Sequence, residues 1–149
     1  MLKQIIHVGI TVSNLEKSRQ FYRDILGLKD LGEIFMEGEE TEILFAKKGV
    51  KAKVAYLSGE NNSPPVELIQ FIDAPTTKKE MDIFTTGISE LCFYCDDLDK
   101  LYARLQQHNV PCFSKPQPFD FTKDGFGKSR AIYFRDPDGV ILEVMEYLD

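Results

Sequence analysis

The chain repeats itself, and that repeat limits what it can fold into. The segment from His7 to Tyr22 lies over the segment from Glu90 to Leu105 at an offset of 83 residues with no gap. Each copy is an apolar run of about six residues, two polar turn residues, and an amphipathic stretch with helical periodicity. Leu15 aligns with Leu98 and Lys17 with Lys100. Few other identities match, so the likeness is one of pattern: strand, helix cap, helix. Ser13 or Asn14 suits the first cap and Asp96 or Asp97 the second, because short oxygen side chains accept from free N–H groups. Glu16 and Asp99 then fall in first turns, where the helix dipole favours anions. Leu15, Ser18, Phe21, Tyr22, Ile25 and Leu26 form one stripe, stopped by Gly27. Leu98, Leu101, Tyr102 and Leu105 form the other, ending near His108 and Asn109 before Pro111.

Beyond each helix the pattern is mostly that of strands. The first half predicts strands near 29–37, 51–58 and 65–72, with a short helix within Glu39–Lys48. The second predicts them near 111–115, 129–135 and 140–147. Asp136-Pro137-Asp138-Gly139 reads as a tight hairpin turn, since Pro fixes φ and Gly accepts positive φ. Residues 120–128, including Gly125-Phe-Gly-Lys128, read as a loop able to flap over a pocket. The expected fold class is α+β: two tandem βαβββ modules forming a cupped mixed sheet with helices outside. The modules span 1–72 and 88–149, joined by a linker over 73–87.

Composition narrows the function classes. The 149 residues include 18 Lys plus Arg against 24 Asp plus Glu, a net charge of −6. That deficit of cations argues against nonspecific nucleic-acid binding. No apolar run approaches the roughly 18 residues a membrane helix needs, and the first residues carry no secretory pattern. Three Cys cannot all pair, so a reduced, cytoplasmic protein is expected. Cys92 and Cys95 have CxxC spacing, but residues three apart on a strand face opposite sides and cannot share a metal. Cys95 and Cys112 read as core or filler.

Four residues stand out on otherwise apolar strands. On the first strand Ile6, Val8 and Ile10 suit a helix-covered face, which turns His7, Gly9 and Thr11 the other way. In the second half Leu91, Phe93 and Cys95 take the helix face, and Glu90, Cys92 and Tyr94 the opposite one. His7 and Glu90 therefore hold equivalent positions. The closing strands each carry a lone carboxylate, Glu67 and Glu143. Pairing first and last strands would gather all four on one concave face. An unpartnered buried carboxylate costs several kcal/mol or takes up a proton, so a divalent cation resolves the crowding, and Glu and His are metal ligands. The plainer alternative is a solvated sheet face.

The runs His7–Thr11, Phe21–Leu28 and Ala131–Glu143 resemble the vicinal oxygen chelate superfamily of glyoxalases, methylmalonyl-CoA epimerase, extradiol dioxygenases, and fosfomycin and bleomycin resistance proteins. The resemblance implies paired βαβββ modules around a divalent metal, and a homodimer. His7, Glu67 and Glu143 match ligand positions of its glyoxalase-like branch. Glu90 stands where His is common. With it the set is one His and three carboxylates, suited to Mn²⁺, Mg²⁺, Fe²⁺ or Ni²⁺ at least as well as Zn²⁺. The implied function is a metal-dependent lyase or isomerase acting on a small molecule. It would move a proton next to a carbonyl through an enediolate, with Glu143 and Glu67 as proton carriers. Thr11, Cys92, Lys128 and Arg130 are candidate substrate contacts. With one plausible His ligand, dioxygenase and fosfomycin-type thiol-transfer chemistry are disfavoured. The rival from another class is a metal-free small-molecule-binding protein, like the bleomycin-sequestering relatives.

Overall fold

A computed structural model of the protein describes residues 1–74 and 76–148. The chain divides into two compact units, Met1–Lys78 and Lys79–Asp149. The first unit runs β1 (Val8–Thr11), α1 (Leu15–Gln20), β2 (Lys29–Met36), α2 (Glu39–Leu44), β3 (Lys51–Ser58) and β4 (Val66–Ile72). The second runs β5 (Leu91–Tyr94), α3 (Leu98–Gln107), β6 (Gln117–Phe121), β7 (Gly127–Arg135) and β8 (Ile141–Leu148). Each unit holds a four-stranded mixed sheet, ordered β1-β4-β3-β2 in the first and β5-β8-β7-β6 in the second. In both, the opening strand pairs parallel with the closing one and the other pairings are antiparallel. The repeat is thus two βαβββ-like modules.

The caps resolve the choices the sequence leaves open. Asn14 accepts from the Lys17 N–H at 2.9 Å, and Asp97 from the Lys100 N–H at 2.9 Å. Helix α1 is shorter than its stripe, because Phe21–Ile25 widens into a π-turn. Phe21 and Tyr22 both reach the core, and Gly27 closes the turn with φ of +81°. In the first unit Ile10, Val12, Leu15, Tyr22, Leu57, Val66 and Leu68 are buried together with the Ser18 side chain. In the second, Leu98, Leu105, Ile132, Phe134, Leu142 and Val144 play that part. Burial of such side chains is worth roughly 1.5–3 kcal/mol each.

Three expectations are corrected. The strand expected near 111–115 is β6 at Gln117–Phe121; Cys112 makes only a single antiparallel bridge to Phe134. The Ser-Lys-Pro run at 114–116 delays the strand, since Pro lacks the N–H a ladder needs. The expected flap over 120–128 is the turn of the β6–β7 hairpin, tightened by a 3-10 turn at Thr122–Asp124 and by Gly125 at φ +84°. His7 and Glu90 sit one residue before their strands, which begin at Val8 and Leu91. The Asp136–Gly139 turn forms as expected, with Asp136 N–H donating to the Val140 carbonyl at 3.0 Å.

Candidate metal and substrate site

Register decides which side chains share a face. In the first sheet Gly9 pairs with Glu67, and Glu67 pairs with Tyr56 on its other side. Gln70 of β4 accepts from the Leu15 N–H at 2.7 Å, which puts even-numbered β4 residues on the helix side. Glu67, Ile69 and Phe71 therefore share the face away from α1. A Cβ on Gly9 would lie 3.2 Å from Glu67 Oε2, so glycine leaves that carboxylate its place.

The Glu67 carboxylate is divided between two neighbours. Tyr56 O–H donates to Oε1 at 2.6 Å. His7 Nε2 stands 3.5 Å from Oε2. The His7 side chain is 42% exposed and that of Glu67 12%, so the pair opens outward from a largely covered carboxylate. Hydrogen bonding to Glu67, with desolvation and the Glu67 charge, pushes the Tyr56 hydroxyl up to about 12. Tyr56 is thus a fixed donor across the neutral range.

The second unit repeats the arrangement with different chemistry. Cys92 pairs with Glu143, and Glu143 with Tyr133. Cys92 occupies the place of Gly9. The residue as a whole is exposed, but its thiol is desolvated and meets the Glu143 carboxylate. Desolvation first, then hydrogen bonding to Glu143 and the charges of Glu143 and Glu90, push that thiol up to about 12. Desolvation and the same two carboxylates also raise Tyr133. Glu90 and Glu143 thus act electrically on one spot.

The sequence-derived set therefore falls into two clusters: His7 with Glu67, and Glu90 with Glu143 and Cys92. Among the described residues no group of three or more His, Cys, Asp or Glu side chains stands ready to hold an ion. The donor spacing in the first cluster comes close to that of two ligands on one ion, and slightly exceeds it. Two ligand atoms at ~2.1 Å from one ion lie about 3.0–3.4 Å apart for right-angled or tetrahedral placement, against 3.5 Å between His7 Nε2 and Glu67 Oε2.

The remaining candidates go different ways. Thr11 lies two residues beyond Gly9 on the same face and lines a cavity with Phe45, Lys47 and Phe71. Lys128 and Arg130 lie on the face of β7 opposite Tyr133 and Glu143. Arg130 donates to Glu146 at 2.5 Å and to Asp99 at 2.9 Å, tying α3 to β8. Lys128 stands 3.8 Å from Asp120 across the hairpin. Neither cation is brought to Glu143. Sequence reading missed the partnership of Tyr56 with Glu67. The signal was present, because Tyr56 and Tyr133 each lie eleven or ten residues before the lone carboxylate of the following strand.

Comparison with known proteins agrees with this architecture. Residues 4–144 match the Glyoxalase/Bleomycin resistance protein/Dioxygenase superfamily. The uncharacterized protein YaeR of Escherichia coli strain K12 is 30% identical over 145 residues, 97% of each chain. Metallothiol transferase FosB of Staphylococcus epidermidis is 30% identical over 144 residues, 97% of this chain and 84% of that one. The crystal structure of a glyoxalase family protein from Bacillus cereus superimposes with a TM-score of 0.88 at 20% identity, covering 100% of this chain and 97% of the other. On its repeated modules, its fold and this match along nearly its whole length, the chain belongs to the Glyoxalase/Bleomycin resistance protein/Dioxygenase superfamily.

Proposed function

We propose that the protein is a divalent-metal-dependent lyase or isomerase that moves a proton on the carbon next to a carbonyl of a small-molecule substrate. The observation that carries this reading is the approach of His7 Nε2 to Glu67 Oε2 at 3.5 Å, on a carboxylate whose other oxygen is held by Tyr56. The repeat places Glu90 and Glu143 in the corresponding positions of the second unit. His7 with Glu67 would hold an ion in the first unit, and Glu90 with Glu143 in the second. Such oxygen-rich sets suit Mn²⁺, Mg²⁺, Fe²⁺ or Ni²⁺ as well as Zn²⁺. When bound there, the ion supplies Lewis acidity toward the carbonyl oxygen beside the reacting carbon.

The protein's own groups do the rest. Tyr56 fixes the rotation of the Glu67 carboxylate, leaving Oε2 on the side of His7. A carboxylate oxygen of Glu143, or of Glu67 in its own unit, takes the proton from carbon and returns it to the neighbouring position, as general acid–base catalysis requires of positioned groups. The Cys92 thiol stays protonated beside Glu143 and donates to the Phe93 carbonyl at 3.7 Å.

The test follows isotope loss from α-deuterated α-hydroxycarbonyl compounds, hemithioacetals and thioesters by NMR, using the full chain loaded in turn with each dication. Washout that needs the metal and disappears in Glu143→Gln is expected. No exchange with any ion overturns the proposal. One second reading has a specific observation behind it: the likeness to metallothiol transferase FosB over 97% of the chain. It predicts consumption of a thiol without isotope exchange. No bound ion after gentle purification, with stability indifferent to chelator, would support the metal-free binding protein instead.

A further inference from the structure

We infer that the first unit carries an anchor for an anionic, aryl-bearing substrate, in a cavity that Lys47 helps to line. This inference rests on the proposed metal site and names the class of molecule it takes. The cavity, of ≈ 420 Å³, is lined by Thr11, Phe45, Lys47, Val50, Phe71 and Thr77, among others. That volume falls within the range of small-molecule pockets, about 300–1,000 Å³.

Its position comes from strand register. Thr11 pairs with Ile69, one rung beyond the Gly9–Glu67 rung on the same sheet face. Phe71 lies one rung further along that face of β4. At about 3.3 Å per residue, the Thr11 rung is ~7 Å from Glu67 along the strand and Phe71 is ~13 Å away. A substrate reacting beside Glu67 could therefore lay its body over Ile69 and reach the cavity with its far end.

The lining specifies what that end is. Phe45, just after α2, meets Phe71 edge to face with ring centroids 5.3 Å apart and planes at 86°. Val50 is buried behind them. These surfaces suit an aryl or branched apolar group. Lys47 is exposed and, among the described residues, is paired with no carboxylate, whereas Lys51 reaches Glu37 and Lys128 reaches Asp120. A cation left available beside threonines and aromatic rings, in a chain of net charge −6, fits a terminal carboxylate or phosphate. Where the first unit has α2 leading to Phe45 and Lys47, the second has between β6 and β7 only the 3-10 turn at Thr122–Asp124, so the anchor belongs to one unit alone.

Isothermal titration of the full chain with 3-phenylpropionate, phenyl phosphate and uncharged 3-phenylpropan-1-ol tests this. At least one anion is expected to bind tenfold or more tightly than the alcohol, and the tighter anion identifies the group. Lys47→Gln should erase that tenfold preference, and Lys47→Arg should keep it within threefold. Phe71→Ala should weaken all three probes that bind measurably. Equal binding of alcohol and anions, undiminished anion binding by Lys47→Gln, or no binding of any probe overturns the inference. His7→Ala with Glu67→Gln separates the two claims. It should abolish metal uptake yet leave the Lys47-dependent preference intact. Absence of metal in the wild type, with the Lys47-dependent preference still present, would sink the metal site and leave the cavity an anion-binding site without that chemistry.

Discussion

The two clusters share one backbone plan and differ in what the plan presents. In each, a carboxylate on the closing strand is flanked by the opening strand on one side and a tyrosine on the other. In the first cluster the opening strand offers His7 and the bare backbone of Gly9; in the second it offers Glu90 and the thiol of Cys92. The outcome is electrostatic. Glu67 has a donor on one oxygen and an imidazole near the other. Glu143 instead sits with a second carboxylate and a thiol that its own charge helps to keep protonated. A duplicated fold thus keeps the carboxylates and redistributes charge around them. The first cluster is close to self-satisfied, while the second is anionic and gains more from a cation.

The largest effects should come from upsetting that division. Glu143→Ala or Glu67→Ala should reduce metal uptake by more than a hundredfold, as expected on losing a direct ligand, measured by competition with a chromophoric chelator. Glu90→His is more discriminating. If Glu90 ligates, this substitution makes the two clusters alike, removes one negative charge from the second and shifts preference toward Zn²⁺ over Mn²⁺ by at least tenfold, since imidazole is the softer donor. An unchanged preference would show that Glu90 only tunes the charge and that the clusters differ in number of ligands as well as kind.

A middle-sized effect is expected from the supporting residues. Tyr56→Phe removes the 2.6 Å hydrogen bond to Glu67 and should cost roughly tenfold in metal affinity, the lower end of the range for groups that orient a ligand. Tyr133→Phe should cost less, because Tyr133 is shifted mainly by burial and not by a bond to Glu143. Equal losses would mean that the two tyrosines do the same work and that the clusters are closer in mechanism than in composition.

Much of this was legible in the sequence, for physical reasons. The repeat was visible because helix caps and apolar periodicity are local, and Asn14 and Asp97 act within three residues of themselves. The lone carboxylates Glu67 and Glu143 stood out because strand alternation is strict. What escaped was set by pairing between distant segments. Arg130 looked like a substrate contact, but register turned it to the helix face, where Glu146 and Asp99 hold it. Pro116 argues locally against a strand at 111–115, but the start of β6 at Gln117 is set by its pairing with β7. The Lys47 cavity depends on α2 folding back toward Phe71, a contact across 26 residues.

The same comparison extends to how each unit fastens its helix, and there the smallest effect is expected. In the first unit Arg19 of α1 grips Asp30 of β2 through Nε at 2.9 Å and a terminal nitrogen at 2.7 Å, and reaches Glu33 at 2.9 Å. In the second the arginine is on the sheet, with Arg130 reaching Asp99 on the helix. Burial works to raise Asp30, but the Gly32 N–H and the Arg19 guanidinium outweigh it and hold the carboxyl below its ordinary value of 3.8. A carboxyl depressed by folding adds stability that is complete above its unfolded value and is lost as pH falls through the lower folded one. Asp30→Asn should therefore flatten the acid limb of stability against pH, with a loss of order 1 kcal/mol at neutral pH for this partly covered pair. Asp99→Asn, whose side chain is 72% exposed, should change stability by a few tenths of a kcal/mol at most. Urea unfolding from about pH 3 to 7 measures both, and the asymmetry disappears if the two substitutions give parallel curves, which would place the anchoring of both helices in their apolar stripes and not in the arginines.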